Sequence, residues 1–238
     1  MNYKTFLMYY DRYENNTTSR MLDFEHTILC HENADKFKNI SKKATIIETN
    51  LPTGIQNNFN YALRTLDYGE WAIFLSDDLI GGRKFNEEKY DFVECSVDVV
   101  LKNLTDTIEK ENKMGVEFVG MSSTGNAFYV KSSYSYYGLV DTRCCAIKKS
   151  EFLFHPNIGC IPDYYCTAYH MKKNGKNLIL NTFYLDFERY TDGGLGSIDN
   201  RLEQKMQEIK IMQKLFPDNV TIVDKPNHPR GSHIRLTR

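Results

Sequence analysis

Residues 71–79, W-A-I-F-L-S-D-D-L, constrain this chain more than any other stretch. The apolar residues run without alternation, the pattern of a strand buried on both faces in the middle of a parallel sheet. The run stops at Ser76, Asp77 and Asp78. Open α/β sheets bind ligands at the carboxyl ends of such strands, so the two carboxylates fall where a ligand is expected. Like charges this close raise each other's proton affinity; a divalent cation shared with a diphosphate would relieve that cost through hard oxygen ligands. The plainer reading is a solvated turn after a core strand, because Asp is common in turns.

The 238 residues suit one large domain, and 41% hydrophobic content with 16 Tyr and 14 Phe supports an ordered core. Thirty Lys and Arg nearly balance 31 Asp and Glu, which leaves room only for a local basic surface toward nucleic acid. The apolar patch near the N-terminus is too short for a secretory signal and no later run approaches bilayer-spanning length, so a cytoplasmic protein without a membrane segment is expected. The cysteines at 30, 95, 144, 145, 160 and 166 lack C-x-x-C spacing. They read as mostly buried thiols in a reducing compartment rather than a zinc site, and Cys144 and Cys145 on one strand would face opposite sides.

In chain order, residues 4–10 predict a first strand, with Asp11 and Arg12 just past its end. Tyr10 or Tyr13 there suits base stacking and Arg12 suits phosphate, while a polar loop is the alternative. A second strand ends at Cys30, residues 34–40 read as a short helix, and residues 44–48 as a third strand. The turn N-L-P-T-G at 50–54 precedes a helix over 56–67, whose Asn57 and Asn60 are placed to look into the crevice near the helix's amino end. After the acidic pair, residues 79–83 read as a flexible turn, 95–113 as a helix, 116–121 as a strand, and 126–150 as strand-rich. Tyr129, Tyr134, Tyr136 and Tyr137 in that last region either line an acceptor groove or pack as core. Residues 177–184 and 220–223 predict strands, and 198–216 the clearest helix.

A second constellation is G-C-I-P-D-Y-Y-C-T-A-Y-H at 159–170. Pro162 and Asp163 open a helix; Asp163 is either its cap or, across the crevice from the acidic pair, the base that accepts an acceptor hydroxyl's proton. Residues 189–197, with three glycines, either close over a ligand or link the sheet to the last helix. The tail 225–238 has Lys225, Arg230, Arg235 and Arg238 and no acidic residue. It either frays or returns His228 or His233 to complete a metal shell with Asp78.

The order of an initial strand, L-P-x-G, an Asn-containing helix, a strand ending S-D-D, P-D-Y-Y and a late His resembles the nucleotide-sugar glycosyltransferases of the GT-A fold. It is most similar to the phage and viral TET-associated glycosyltransferases that modify hydroxymethylated pyrimidines such as hydroxymethylcytosine in DNA. The resemblance implies an α/β fold with a Rossmann-type mixed, mostly parallel central sheet flanked by helices. It divides a single domain into a nucleotide-sugar half (1–83), an acceptor half (84–224) and a basic tail (225–238). It implies a nucleoside diphosphate sugar donor, manganese or magnesium on Asp78 with His228 or His233, donor contacts from Tyr10, Asp11, Arg12, Asn57, Ser76 and Asp77, and Asp163 as the catalytic acid/base. The acceptor is then a hydroxyl, with modified double-stranded DNA as the partner and, for a phage protein, the host cytoplasm as its location. Ser76 departs from the family's D-x-D at its first position, which puts direct ligation by two aspartates of that motif in question. Competing readings are a glycan or protein acceptor, a nucleotidyltransferase, and a non-catalytic DNA- or glycan-binding module; the glycine-free loop 11–20 counts against the nucleotidyltransferase.

Overall fold

The computed structural model describes residues 2–9, 17–31, 33–37, 39–52, 54–111, 114–188, 198–223 and 233–237, with the side chains of 198–201 left aside. In chain order its strands are β1 (Tyr3–Met8), β2 (His26–Cys30), β3 (Ala44–Glu48), β4 (Trp71–Ser76), β5 (Leu79–Asn86), β6 (Asp91–Cys95), β7 (Phe118–Met121), β8 (Tyr134–Ser135), β9 (Cys144–Lys148), β10 (Leu178–Leu180), β11 (Phe183–Phe187), β12 (Val220–Val223) and β13 (His233–Leu236). The helices are α1 (Thr17–Met21), α2 (Ile55–Arg64), α3 (Val97–Glu111), α4 (Pro162–Asn174) and α5 (Ile198–Leu215). None of them is long and apolar enough to cross a membrane.

The architecture is mixed α/β. Eight strands form one sheet in the order β3-β2-β1-β4-β9-β7-β10-β8. The first four run parallel, β9 is antiparallel to both β4 and β7, and β10 runs parallel to β7. A three-stranded antiparallel sheet, β11-β5-β6, and a β12–β13 ribbon complete the fold.

β4 lies at the centre, and Trp71, Ala72, Ile73, Phe74 and Leu75 are each no more than 2% exposed. Alternate side chains serve two separate cores. Phe6, Ala72, Phe74, Cys145 and Ile147 pack with Phe59 and Leu63 of α2, Cys166 of α4 and Ile209 of α5. Leu7, Trp71, Ile73, Leu75, Cys144 and Ala146 pack with Leu101, Leu104 and Ile108 of α3. Each large apolar side chain removed from water this way contributes about 1.5–3 kcal/mol, so neither face of the strand tolerates a charge. Cys144 and Cys145 do face opposite sides, and all six cysteines are free thiols, four of them buried.

Several sequence expectations need correction. Residues 79–83 are not a turn but the start of β5, because β11 and β6 pair with it on either edge. Gly82 there lies so close to α3 that a Cβ would come within 2.8 Å of Val100 Cγ2. Residues 177–184 are two strands: Asn181 and Thr182 turn, leaving β10 in the main sheet and β11 in the small one. Among the described residues of 34–40 there is a 3-10 turn at Ala34–Phe37 in place of a helix, and residues 126–130 carry a 3-10 turn at Ala127–Tyr129, whose Phe128 amide donates to Asn126 Oδ1 at 3.0 Å. The tail is not frayed throughout, since β13 pairs with β12 and buries Ile234.

Two buried polar groups decide local stability. Glu208 of α5 is 1% exposed, and its carboxylate accepts from the amides of Gly159, Cys160 and Ile161 at 2.9–3.0 Å and from Gln204 Nε2 at 3.0 Å. That carboxylate satisfies the backbone donors entering α4, which has no side-chain cap of its own. Glu208→Ala orphans them together and is expected to cost about 3 kcal/mol or more in urea unfolding.

His170 of α4 is fully buried among Phe118, Phe152 and Tyr169, and neither ring nitrogen has a hydrogen-bond partner. Burial lowers its pKa to about 3, against a smaller opposing pull from Glu117. The unfolded chain therefore binds this proton first on acidification, and His170 subtracts stability progressively as pH falls from about 6.5 toward about 3. His170→Phe keeps the ring packing, so it is expected to raise stability at pH 5 by about 1–3 kcal/mol and to flatten the acid limb of a stability-versus-pH curve.

Candidate functional site

β4 delivers Ser76, Asp77 and Asp78 to the carboxyl edge of the main sheet, where the chain reverses into β5. Asp77 is 6% exposed and Asp78 is partly exposed. The Ser76 hydroxyl donates to Asp78 Oδ1 at 2.6 Å, which fixes one carboxylate oxygen. The backbone of the tip is tied on two sides: the Ser76 amide donates to the Arg143 carbonyl at 2.8 Å, and the Glu188 amide donates to the Asp78 carbonyl at 2.8 Å. Burial and then the charge of Asp77 push the Tyr9 hydroxyl far above its usual range, so Tyr9 remains a neutral phenol.

The strand beside β4 brings the opposing charge. Because β9 runs antiparallel to β4, the residues just before it, Asp141 and Arg143, lie at the same edge as the end of β4. The Arg143 guanidinium grips Asp141 through Nε (3.1 and 3.0 Å) and Nη2 (2.6 Å) and sits over the Phe187 ring at 4.7 Å. Burial works against this cation, but the Asp141 hydrogen bonds and then the charges of Asp141 and Asp78 outweigh it, so the guanidinium holds its proton more firmly than usual.

Asp163 occupies the first turn of α4, and the N-cap position is Ile161, so the reading of Asp163 as the helix cap is not what the backbone shows. Its pKa is raised to about 7, first by burial and then by the charge on Asp141, against the Tyr164 and Asp163 amides and Arg143. A carboxyl whose proton affinity is raised toward neutrality by burial and a neighbouring acidic residue is an environment expected of an acid/base group.

The other expected residues divide. Asn57 does not aim at the tip; its Nδ2 donates to the Pro52 carbonyl at 2.9 Å and closes the preceding turn. Asn60 clasps the Phe154 backbone through both amide and carbonyl, at 2.9 and 2.7 Å. His233 opens β13, opposite Val223. Tyr10, Asp11, Arg12, His228 and the glycine stretch 189–197 lie outside the described residues. Among the described residues no group of three or more His, Cys, Asp or Glu is placed to hold a metal ion. Tyr129, Tyr134, Tyr136 and Tyr137 are exposed rather than core, as is Phe128, and Lys110 lies over the Tyr134 ring at 5.7 Å. Tyr134 pairs with Leu180, the last residue of β10, which sets it toward the carboxyl edge as well. Asp141 was not singled out from the sequence; the signal available was an acidic and a basic residue two apart immediately before a buried strand.

No protein-family model matches the chain, and no curated protein matches it in sequence. Among solved structures, a mycobacterial protein is similar over 99% of this chain and 83% of its own, with a TM-score of 0.52 at 9% identity. A197 from STIV is similar over 80% of this chain and 87% of its own, with a TM-score of 0.41 at 14% identity. Mannose-6-phosphate isomerase from Helicobacter pylori gives 100%, 87%, 0.30 and 14% for the same quantities. The first likeness concerns the fold alone, and the other two are too loose to carry an argument.

The folded state binds the Asp163 proton more tightly than the unfolded chain does, so its contribution to stability is complete below about pH 3.8 and is lost as pH rises through about 7. Asp163→Asn removes that loss. The variant is expected to melt at least about 3 °C above the parent at pH 8 and to lose this advantage near pH 4, by differential scanning calorimetry.

Proposed function

We propose that this chain is a metal-dependent glycosyltransferase of the GT-A type, moving a sugar from a nucleoside diphosphate sugar to an acceptor hydroxyl. The observation that carries the reading is the convergence of three elements on one sheet edge: the Ser76–Asp77–Asp78 tip after β4, the Asp141–Arg143 pair before the reversed strand β9, and Asp163 at the start of α4. The four parallel strands followed by a reversed one suit a Rossmann-type donor half on β1 to β4 with an acceptor half beyond it.

The tip's carboxylates are hard oxygen donors of the kind that suit magnesium or manganese. In this reading Asp78 and Asp77 would hold the ion, His228 would add to the shell and diphosphate oxygens would complete it; His233 is not grouped with the two carboxylates. The bound ion would neutralise charge on the departing diphosphate. Ser76, in place of the first Asp of a D-x-D motif, orients Asp78 through its hydroxyl instead of ligating. Asp163 accepts the proton of the acceptor hydroxyl while that oxygen bonds to the anomeric carbon and the bond to diphosphate breaks, an in-line displacement that inverts the sugar. Its pKa of about 7 matches a base that must take a proton near neutral pH. Arg143, held by Asp141, keeps positive charge between the two ends of the site.

For the acceptor we favour a hydroxymethylated pyrimidine in DNA. The exposed rings of Phe128, Tyr129 and Tyr134 supply faces on which bases stack, and a duplex base would leave its stack to reach Asp163. Sugars stack on the same faces, so a glycan acceptor is the second reading.

Asp78→Ala is expected to abolish the manganese-dependent thermal shift given by a sugar nucleotide and to lower transfer at least about a hundredfold. Asp163→Asn is expected to lose transfer while keeping that shift. Transfer by Asp78→Ala at the parental rate would end the proposal.

A further inference from the structure

The acidic tip is a tight reversal, and its two ends are joined by a residue from a distant part of the chain. Thr18 of α1 is fully buried; its hydroxyl donates to the Ser76 carbonyl at 2.9 Å and accepts from the Leu79 amide at 3.0 Å. One side-chain oxygen therefore bridges the residue before the aspartates and the residue after them. Its neighbour Thr17 donates to the Leu79 carbonyl at 2.9 Å, so α1 meets both polar groups of Leu79. Leu79 itself is fully buried, and water is not at hand to replace these bonds.

α1 is in turn anchored from behind. The Ser19 hydroxyl and His26 Nε2 are 2.7 Å apart in a buried contact, and His26 Nδ1 is 2.9 Å from the Phe24 carbonyl. The carbonyl can only accept, so Nδ1 carries the proton and Nε2 accepts from Ser19. Burial lowers the His26 pKa, which keeps the ring neutral and this direction fixed. The connection thus runs from the first strand pair of the sheet, through α1, to the turn that carries the carboxylates.

We infer that Thr18 is the positioning residue of the acidic tip: by closing the Ser76–Leu79 reversal through its hydroxyl, it sets the aim of Asp77 and Asp78 toward a shared cation. The inference rests on the proposed metal-dependent function. Thr18 touches no reacting atom in it and acts through the turn. Residues that orient metal ligands from behind typically change metal affinity by about 10–100-fold when removed.

The test compares manganese binding, read by electron paramagnetic resonance of free Mn²⁺ added to the full chain, for the parent, Thr18→Val and Thr18→Ser, with melting temperatures measured alongside. Val preserves the shape and loses the hydroxyl; Ser keeps the hydroxyl. Binding by the parent that is weakened about tenfold or more in Thr18→Val and kept within about twofold in Thr18→Ser supports the inference. Parental affinity in a folded Thr18→Val overturns it and leaves the metal-dependent function standing. Should Thr18→Val fail to fold, Thr18→Ala, which also removes the hydroxyl, decides against Thr18→Ser: a loss of about tenfold in Ala that Ser does not show supports the inference, and parental affinity in Ala overturns it. A parent that binds no Mn²⁺ overturns both this inference and the metal site it rests on.

Discussion

The structure depends on one strand being dry on both faces. Trp71 to Leu75 are enclosed by two cores that do not share side chains, so β4 has no solvated face on which polar residues could be distributed. The first position where the chain can carry charge is past Leu75, and two carboxylates follow almost at once. The site's location is thus a consequence of burial: the same desolvation that makes the strand stable confines its charge to its tip. One of the elements converging there pairs with that strand, and the others reach its tip through hydrogen bonds to the turn. Arg143 precedes the neighbour β9, Glu188 follows β11 and α1 closes the turn.

Features decided by local pattern were legible in the sequence. The continuous apolar run gave β4, strict bounds gave β3 and β12, and the long periodic stretch gave α5. The opposite facing of Cys144 and Cys145 followed from strand geometry alone. Features decided by distant partners were not legible. Gly81 and Gly82 read locally as a turn, yet β11, about a hundred residues on, supplies the pairing that makes them strand. Asn60 read as a crevice residue, yet it is occupied by the backbone of Phe154. At the site, Asp78 and Asp163 were visible because each ends or begins an element. Asp141 was invisible because its importance comes from which strand lies next to β4, and Thr18 because its partners are some sixty residues away.

Charge in this molecule is handled in two contrasting ways. Glu208 is enclosed by donors, three backbone amides and one side chain, and serves the entry of α4. Asp163, a few residues along on the same helix, has burial and a neighbouring carboxylate acting on it and holds its proton to about pH 7. The two carboxyls bracket the same turn: Glu208 accepts from three amides entering α4, and for Asp163 burial and then Asp141 outweigh the amides of its own turn.

The ribbon of β12 and β13 adds a mechanical aspect. Val220 and Ile234 sit in the same core as Cys166 and Tyr165 of α4, so the far end of the chain is cemented to the helix that presents Asp163. A binding partner that seized residues 233–236 would therefore pull on the packing of α4, because Ile234 and Tyr165 share one core.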